Sequence, residues 1–404
     1  MKVVVLGGAG DMGSAAVWDL AAQPQVERIT IADYNFEGAQ RLAQLVGDKA
    51  QALWVDANDH DLLVQVIAGH DAAAGAIGPF YKYEAKMARA AIEAGVPYVS
   101  LCDDYDAAQA VLELDPLAKE KGVTVITGLG WTPGLSNVLA RRAVDQLDEV
   151  DEIHVAWAGS ASDSEGYAVI LHTIHIFTGM VPSFQNGELV SVPAGSGREL
   201  VRFPDPVGDI YVYHLGHPEP VTLPRFLPGV KTVTLKGGLS EDELNRLAMF
   251  LNRIGLTRTP ARKDALGKVI KMALPLLSRI GAPEEPCSAI RVDVHGRKNG
   301  KPQLISYGAA DHMNRLTGIP LAIGTVMLGA GQIKAKGVLA PEACIDPRAF
   351  LRELEKRSIM IHDMTRYVPA LREPKGGISL SRAMLFAGIA ALLAWWMGRR
   401  SRGG

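Results

Sequence analysis

Met1 to Ser14, reading MKVVVLGGAGDMGS, constrains the fold of this chain more than any other stretch. Val3-Val4-Val5-Leu6 is an unbroken apolar run, the pattern of a strand buried on both faces. Gly8-Ala9-Gly10-Asp11-Met12-Gly13 follows at once, and Ala15 to Ala22 has the apolar spacing of a helix. Strand, G-x-G-x-x-G turn and helix together form a dinucleotide-binding fingerprint. The first glycine makes the tight turn, the second lets backbone approach a pyrophosphate, and the third lets helix and strand pack closely. A second strand, Arg28 to Ala32, ends in Asp33, twenty residues after Gly13, where a carboxylate accepts hydrogen bonds from an adenosine ribose. No basic residue follows Asp33 until Arg41, so a free 2′-hydroxyl suits this position better than a 2′-phosphate. NAD is therefore expected as cofactor, with NADP possible. The plainer alternatives are a glycine turn in an unrelated α/β protein and a helix N-cap at Asp33.

Residues 1–135 continue as alternating strands and helices with short loops, which predicts a doubly wound parallel sheet, a Rossmann-type α/β domain. Its strands end in chemically pointed residues, all on the carboxyl edge where such sheets bind ligands. Asp56 ends the third strand and suits either the adenine amino group or a cap for the helix beginning near Asp59. Ile77, Gly78 and Pro79, with Tyr81 just beyond, end the fourth strand above the expected nicotinamide ribose; Gly and Pro there also simply shape a turn. Cys102, Asp103 and Asp104 end the fifth. Hydride exchange between an amine and a nicotinamide needs a group to take or give a proton, and Asp103 and Asp104 are the catalytic candidates. Helix capping is the alternative for both, and a buried thiol the alternative for Cys102. After the sixth strand, Trp131, Thr132 and Asn137 are expected to face the cleft, and the helix starting near Gly134 offers N–H groups for a substrate carboxylate.

From about residue 136 to 315 the texture changes to strands separated by glycine and proline turns, with one clear helix, Glu241 to Ile254. This predicts an α+β domain with a mixed, largely antiparallel sheet. His217-Pro218-Glu219 is its sharpest polar cluster, read either as a substrate contact or as a surface turn. His172 and His175 stand at i, i+3 on an apolar stretch without a neighbouring acid or thiol, so core or interface histidines are expected there and no metal. Residues 316–371 form helices expected to return to the first domain. Residues 263–279 mix lysines with aliphatics, suited to an anionic bilayer surface or to packing on their own domain. Net charge of −2 gives no field that favours nucleic acid, and three dispersed cysteines suit a reducing, cytoplasmic setting. A chain that opens on its first strand leaves no room for a signal peptide.

Several pieces, taken in order, resemble the saccharopine dehydrogenase-like family: GGAGDMG, IADYN, AIGPFYKYEAKMARAAIEAGVPYVSLCDD, GLGWTPGLSN, LGHPEPVTLPR and RLTGIPLAIGTVMLGAG running into GVLAPEACIDP. The resemblance implies a Rossmann domain interrupted by a substrate domain that also dimerises. It also implies NAD(P)-dependent oxidation or reductive condensation at a C–N bond of an amino-acid-like substrate. Thr132 stands where saccharopine reductases carry Asp, and Asp103 and Asp104 stand near a Ser-rich loop of theirs. Extra acids suit an amine better than the several carboxylates of saccharopine, which points to the lysine 6-dehydrogenase-like branch. A non-catalytic, membrane-tethered dinucleotide-binding scaffold or redox sensor is the alternative from another class.

The last residues lie beyond this resemblance. Lys375-Gly376-Gly377 reads as a linker within residues 372–404, and Ala383 to Met397 is fifteen residues without a polar side chain, followed by Arg399, Arg400 and Arg402. Residues 380–397 are therefore expected to form a membrane-anchoring helix, with a core helix swapped between subunits as the alternative.

Overall fold

The computed structural model describes residues 1–163, 166–277 and 283–366. The expected tail helix, 380–397, lies outside them. Among the described residues no helix is long and apolar enough to cross a membrane.

The first third of the chain alternates strand and helix. β1 (Lys2–Leu6), α1 (Asp11–Ala22), β2 (Arg28–Asp33), α2 (Phe36–Val46), β3 (Ala50–Trp54), α3 (His60–Ile67) and β4 (Ala72–Gly75) lead to α4 (Phe80–Glu93). β5 (Tyr98–Ser100), α5 (Tyr105–Leu112), α6 (Asp115–Glu120) and β6 (Thr124–Ile126) complete the run, and α7 (Leu135–Val144) leaves it. Val3 to Leu6 are fully buried, since helices cover both faces of β1. Each such side chain contributes about 1.5–3 kcal/mol of burial.

β7 (Glu149–Gly159), α8 (Tyr167–Ile176), β8 (Met180–Gln185), β9 (Glu188–Pro193), β10 (Glu199–Arg202) and β11 (Asp209–His214) open the second region. α9 (Glu219–Phe226), β12 (Thr232–Leu239), α10 (Asp242–Arg253), α11 (Pro260–Leu277), β13 (Ser288–Lys298) and β14 (Lys301–Asp311) follow. They build a sheet of order β10-β11-β12-β7-β13-β14, with β8 on β12 and β9 on β8. β7 and β12 run parallel and the other pairs antiparallel, the mixed character expected.

Four helices occur here where one was expected. α8, YAVILHTIHI, is almost wholly apolar and rich in β-branched residues, so its periodicity is that of a strand as much as of a helix. α9 contains Pro220 and Pro224, which mask it. α11 packs against α8 within its own region, the second of the two readings of 263–279.

The chain then enters α12 (Met313–Gly329), β15 (Gly337–Leu339), α13 (Pro341–Cys344), α14 (Pro347–Glu355) and β16 (His362–Asp363). Gly318-Ile319-Pro320, which the pattern placed before this helix, lies inside α12. Gly318 is needed there: a Cβ would come within 2.7 Å of the Met12 carbonyl oxygen, because α12 packs directly on α1. β15, not visible in the pattern, extends the parallel sheet to β15-β6-β5-β4-β1-β2-β3, while β16 pairs with β14 of the second sheet. Order therefore runs past Ile361, with Met364 buried.

Candidate active site

The glycine turn is tight. A Cβ on Gly13 would stand 2.2 Å from the Gly7 carbonyl oxygen, and one on Gly8 2.9 Å from Ile31 Cγ2. Gly10 is the N-cap of α1 and carries no side chain to satisfy the first-turn amides, so that helix start is open to a phosphate. Ala9, Asp11 and Met12 complete the loop. Ala9 N–H donates to Asp33 Oδ2 at 2.9 Å, which ties the loop to the end of β2, and Asp33 Oδ1 accepts from Asn35 N–H at 2.8 Å. The cap of α2 is Asn35, so Asp33 is not a cap. Asp56 forms a turn with Asn58, and Asp59 caps α3 in its place. Ile77, Gly78 and Pro79 close β4, and Pro79 is the N-cap of α4. The residues present fit a dinucleotide laid across β1 and β4.

The end of β5 holds the charged centre. Asp104 is fully buried; its Oδ2 accepts Tyr81 N–H at 2.9 Å and its Oδ1 accepts His172 Nδ1 at 2.8 Å. The capping role is thus real but misplaced: Asp104 holds the first turn of α4, and makes no side-chain cap for α5. Asp103 Oδ1 lies 3.2 Å from the same His172 nitrogen, without hydrogen-bond geometry, and is buried with no hydrogen-bond partner. Burial pushes Asp103 up to about 7, against the pull of His172 and with the help of Asp104. Burial opposes ionisation of Asp104 too, but the hydrogen bond and charge of His172 carry it below the usual carboxylate range. Burial disfavours the imidazolium of His172, yet Asp103 and Asp104 overcome that and raise it to about 9. The three donor atoms lie within 4.8 Å of one another, a spacing a small cation also needs. The His172 Nδ1–H is donated to Asp104, while its charge faces both carboxylates.

His217 and Glu219 are buried, not on a surface turn. His217 stands edge-on to His172 at 5.2 Å between centroids; both its ring nitrogens are buried without a hydrogen-bond partner, and Nδ1 lies 3.8 Å from Glu219 Oε2. Burial, then the neighbouring His172, hold it neutral, well below the ordinary histidine value. Glu219 Oε1 accepts from Thr132 Oγ1 at 2.6 Å and Ser136 Oγ at 2.9 Å, and burial pushes its carboxyl up to about 7. Glu219 therefore places a carboxyl group beside Thr132.

A cavity of about 210 Å³ joins these parts, lined on the cofactor side by Met12, Gly130, Trp131 and Thr132 and at its polar end by Asp103, His172 and His217. Other expected contacts do not reach it. Cys102 is fully buried with its thiol pushed up by burial, and Tyr81 stacks on His175 at 4.5 Å. Asn137 is buried between Glu342, Ser136 and the Gly134 amide. The first amides of α7 donate to Gly130 and Trp131 carbonyls, so that helix start is not available to a carboxylate. His172 is the residue that sequence reasoning set aside as a core or interface histidine. Its acids lie 68 and 69 positions away, and only the apposition of α8 and β5 brings them to it.

Residues 3–126 match the saccharopine dehydrogenase NADP-binding domain, and residues 130–359 match the saccharopine dehydrogenase C-terminal domain. The chain belongs to the saccharopine dehydrogenase family. It is 23% identical to carboxyaminopropylagmatine dehydrogenase of Synechocystis over 90% of this chain and 98% of that protein. It is 25% identical to carboxynorspermidine synthase of Vibrio cholerae over 86% and 93%. Its fold matches apo saccharopine dehydrogenase (L-Glu forming) from Saccharomyces cerevisiae with a TM-score of 0.62 and 17% identity, over 89% of this chain and 99% of that one. As a member of this family the chain is an NAD(P)-dependent oxidoreductase.

Proposed function

We propose that the protein oxidises, or forms by reduction, a C–N bond of an amino-acid-like or amine substrate, with Asp103 as the proton-handling group. The observation that carries this is the Asp103–His172–Asp104 cluster at the end of β5, opening into a cavity that also touches the glycine turn through Met12. The names of the relatives, a dehydrogenase and a synthase of carboxylated amines, fit the same reading.

The bound nicotinamide supplies the hydride acceptor, or the donor in reverse. In the oxidative direction the substrate C–H bond breaks with its electron pair, an N–H proton passes to the Asp103 carboxylate, and the C=N double bond forms. Asp104 holds His172 by Nδ1, and the imidazolium next to Asp103 favours the ionised carboxylate that accepts the proton. In reverse, Asp103 protonates the imine nitrogen. His217, neutral and without a hydrogen-bond partner, is placed to meet a substrate N–H, and Trp131 and Thr132 bound the cofactor side. Asp33 favours NAD over NADP, since the nearest following cation, Arg41, lies 3.8 Å from Glu37. The lysine 6-dehydrogenase-like branch rested on Thr132 in place of the family Asp and on the two extra acids Asp103 and Asp104. Here Asp104 is occupied with His172 and Tyr81, so a single acid faces the cavity and an amine is favoured without singling out lysine. A homodimer and membrane attachment through 380–397 belong to the proposal on the strength of the resemblance and of the apolar run. Sedimentation of the full chain, with and without vesicles, checks both.

The test is to titrate the purified protein with NADH and NADPH, then screen amino acids, polyamines and keto acids at the nicotinamide absorbance band. Turnover that disappears in Asp103→Asn while cofactor affinity holds is the expected result. Tight dinucleotide binding with no turnover of any amine or imine would favour the scaffold or sensor reading.

A further inference from the structure

Away from Asp103, His172 and His217 the same cavity changes character. Val169, Ile170 and Ile174 of α8 face Leu244, Leu247, Ala248 and Leu251 of α10 and Leu266, Ile270 and Leu274 of α11 across it. The hydroxyls lining this part are engaged, Thr173 Oγ1 donating to the Val169 carbonyl, Thr257 Oγ1 to Asn252 Oδ1 and Ser160 Oγ to Glu241 Oε1. The unpartnered indole N–H groups of the lining belong to Trp131 and Trp157, outside α8, α10 and α11. Among the described residues no lysine or arginine lines the cavity, and Asp103 is its one acid. The nearby lysines face elsewhere, Lys82 on Asp264 at 3.0 Å and Lys263 on His175 at 2.8 Å. At about 210 Å³ the space far exceeds the roughly 15 Å³ that one water needs, and water has no partners along such walls.

A second carboxylate or ammonium on the substrate, carried into this end, would be buried without an opposite charge, which disfavours binding. We infer that the substrate carries a single amine or imine head at Asp103 and His172, and an alkyl or acyl chain seated between α8, α10 and α11. This rests on the C–N reading of the site. It separates this chain from relatives named for carboxylated polyamine-type compounds, whose names imply charge at more than one place.

The experiment uses the full chain saturated with NAD and titrated calorimetrically with n-butylamine, n-hexylamine, n-octylamine and, for comparison, agmatine, 1,8-diaminooctane and saccharopine. Affinity should rise about fourfold per methylene along the alkylamine series. The second ammonium of 1,8-diaminooctane should weaken binding at least tenfold relative to n-octylamine. Ala248→Trp, which fills the space between α10 and α8, should lower n-octylamine affinity at least tenfold. Ala248→Phe repeats the test with less bulk, and retained cofactor affinity reports a folded protein in each. Tighter binding of agmatine, 1,8-diaminooctane or saccharopine than of n-octylamine, or an n-octylamine affinity untouched by both substitutions, would overturn the inference. Chain-dependent binding with no turnover in either direction keeps the channel and removes the C–N chemistry instead, so the two failures are distinguishable.

Discussion

The two ends of the cleft are built by opposite means. At the dinucleotide end, Gly8, Gly10, Gly13 and Asp33 lie within twenty-six consecutive positions, and the work of the glycines is steric: a Cβ at Gly13 would meet the Gly7 carbonyl oxygen at 2.2 Å. At the substrate end, Asp103 and Asp104 come from the loop after β5, His172 from α8 and His217 from just before α9, and their work is electrostatic. Short-range sterics leave a spaced pattern in the sequence. Charges that meet across domains leave single residues without a local signature, which gain meaning only once the chain has folded.

The largest expected effect falls at the electrostatic end. Asp103→Asn and His172→Gln should each lower kcat/KM by about 100-fold or more while leaving cofactor affinity within about twofold. If either variant also loses the dinucleotide, the two ends are less separate than described here. Gly13→Ala should do the reverse. It should weaken dinucleotide binding by tenfold or more and lower Tm by several degrees, because strand and helix must part to admit the methyl group; calorimetry and thermal unfolding measure both. Asp33→Ser should shift the NAD to NADP preference by on the order of 1–3 kcal/mol towards NADP without changing kcat. Tighter binding of NADPH than NADH by the unmutated protein would remove the role given to Asp33.

The smallest effect is on stability. Glu342 is buried against Asn137, and burial raises its carboxyl to about 7 from an ordinary 4.5. The folded chain keeps that proton where the unfolded chain has lost it, so stability falls as pH rises between those values. Glu342→Gln should flatten the slope by on the order of 1–3 kcal/mol across the window, measured by denaturant unfolding at several pH values.

The dinucleotide half was largely legible in the sequence. The alternation of strand and helix, Asp33 at the end of β2 and the positions of Gly8 to Gly13 follow from periodicity and glycine spacing, and the structure places them there. The second half was legible only in outline. The mixed sheet is carried by β-branched runs, but α8 and α9 are hidden, one by uniform apolarity and the other by two prolines. Of the site, Asp103 and Asp104 could be singled out because they follow a strand on the carboxyl edge of the sheet, and His217 with Glu219 because two polar residues flank a proline there. His172 could not: an isolated histidine on an apolar segment has the sequence signature of a core residue. Asn137 and Cys102 misled for the converse reason, since a polar residue next to a functional loop also serves to satisfy buried partners.

The proposed chemistry requires Asp103 and His172 to titrate against each other in the cleft. The direct measurement is the pH dependence of kcat/KM for amine oxidation, in the unmutated protein and in His172→Gln. A bell is predicted, with an acid limb near 7 as Asp103 must lose its proton and an alkaline limb near 9 as His172 loses its own. In His172→Gln the alkaline limb should vanish and the acid limb should move upward, because the imidazolium no longer favours the ionised Asp103. A profile flat from neutral to alkaline pH, or one unchanged by removing His172, would contradict it.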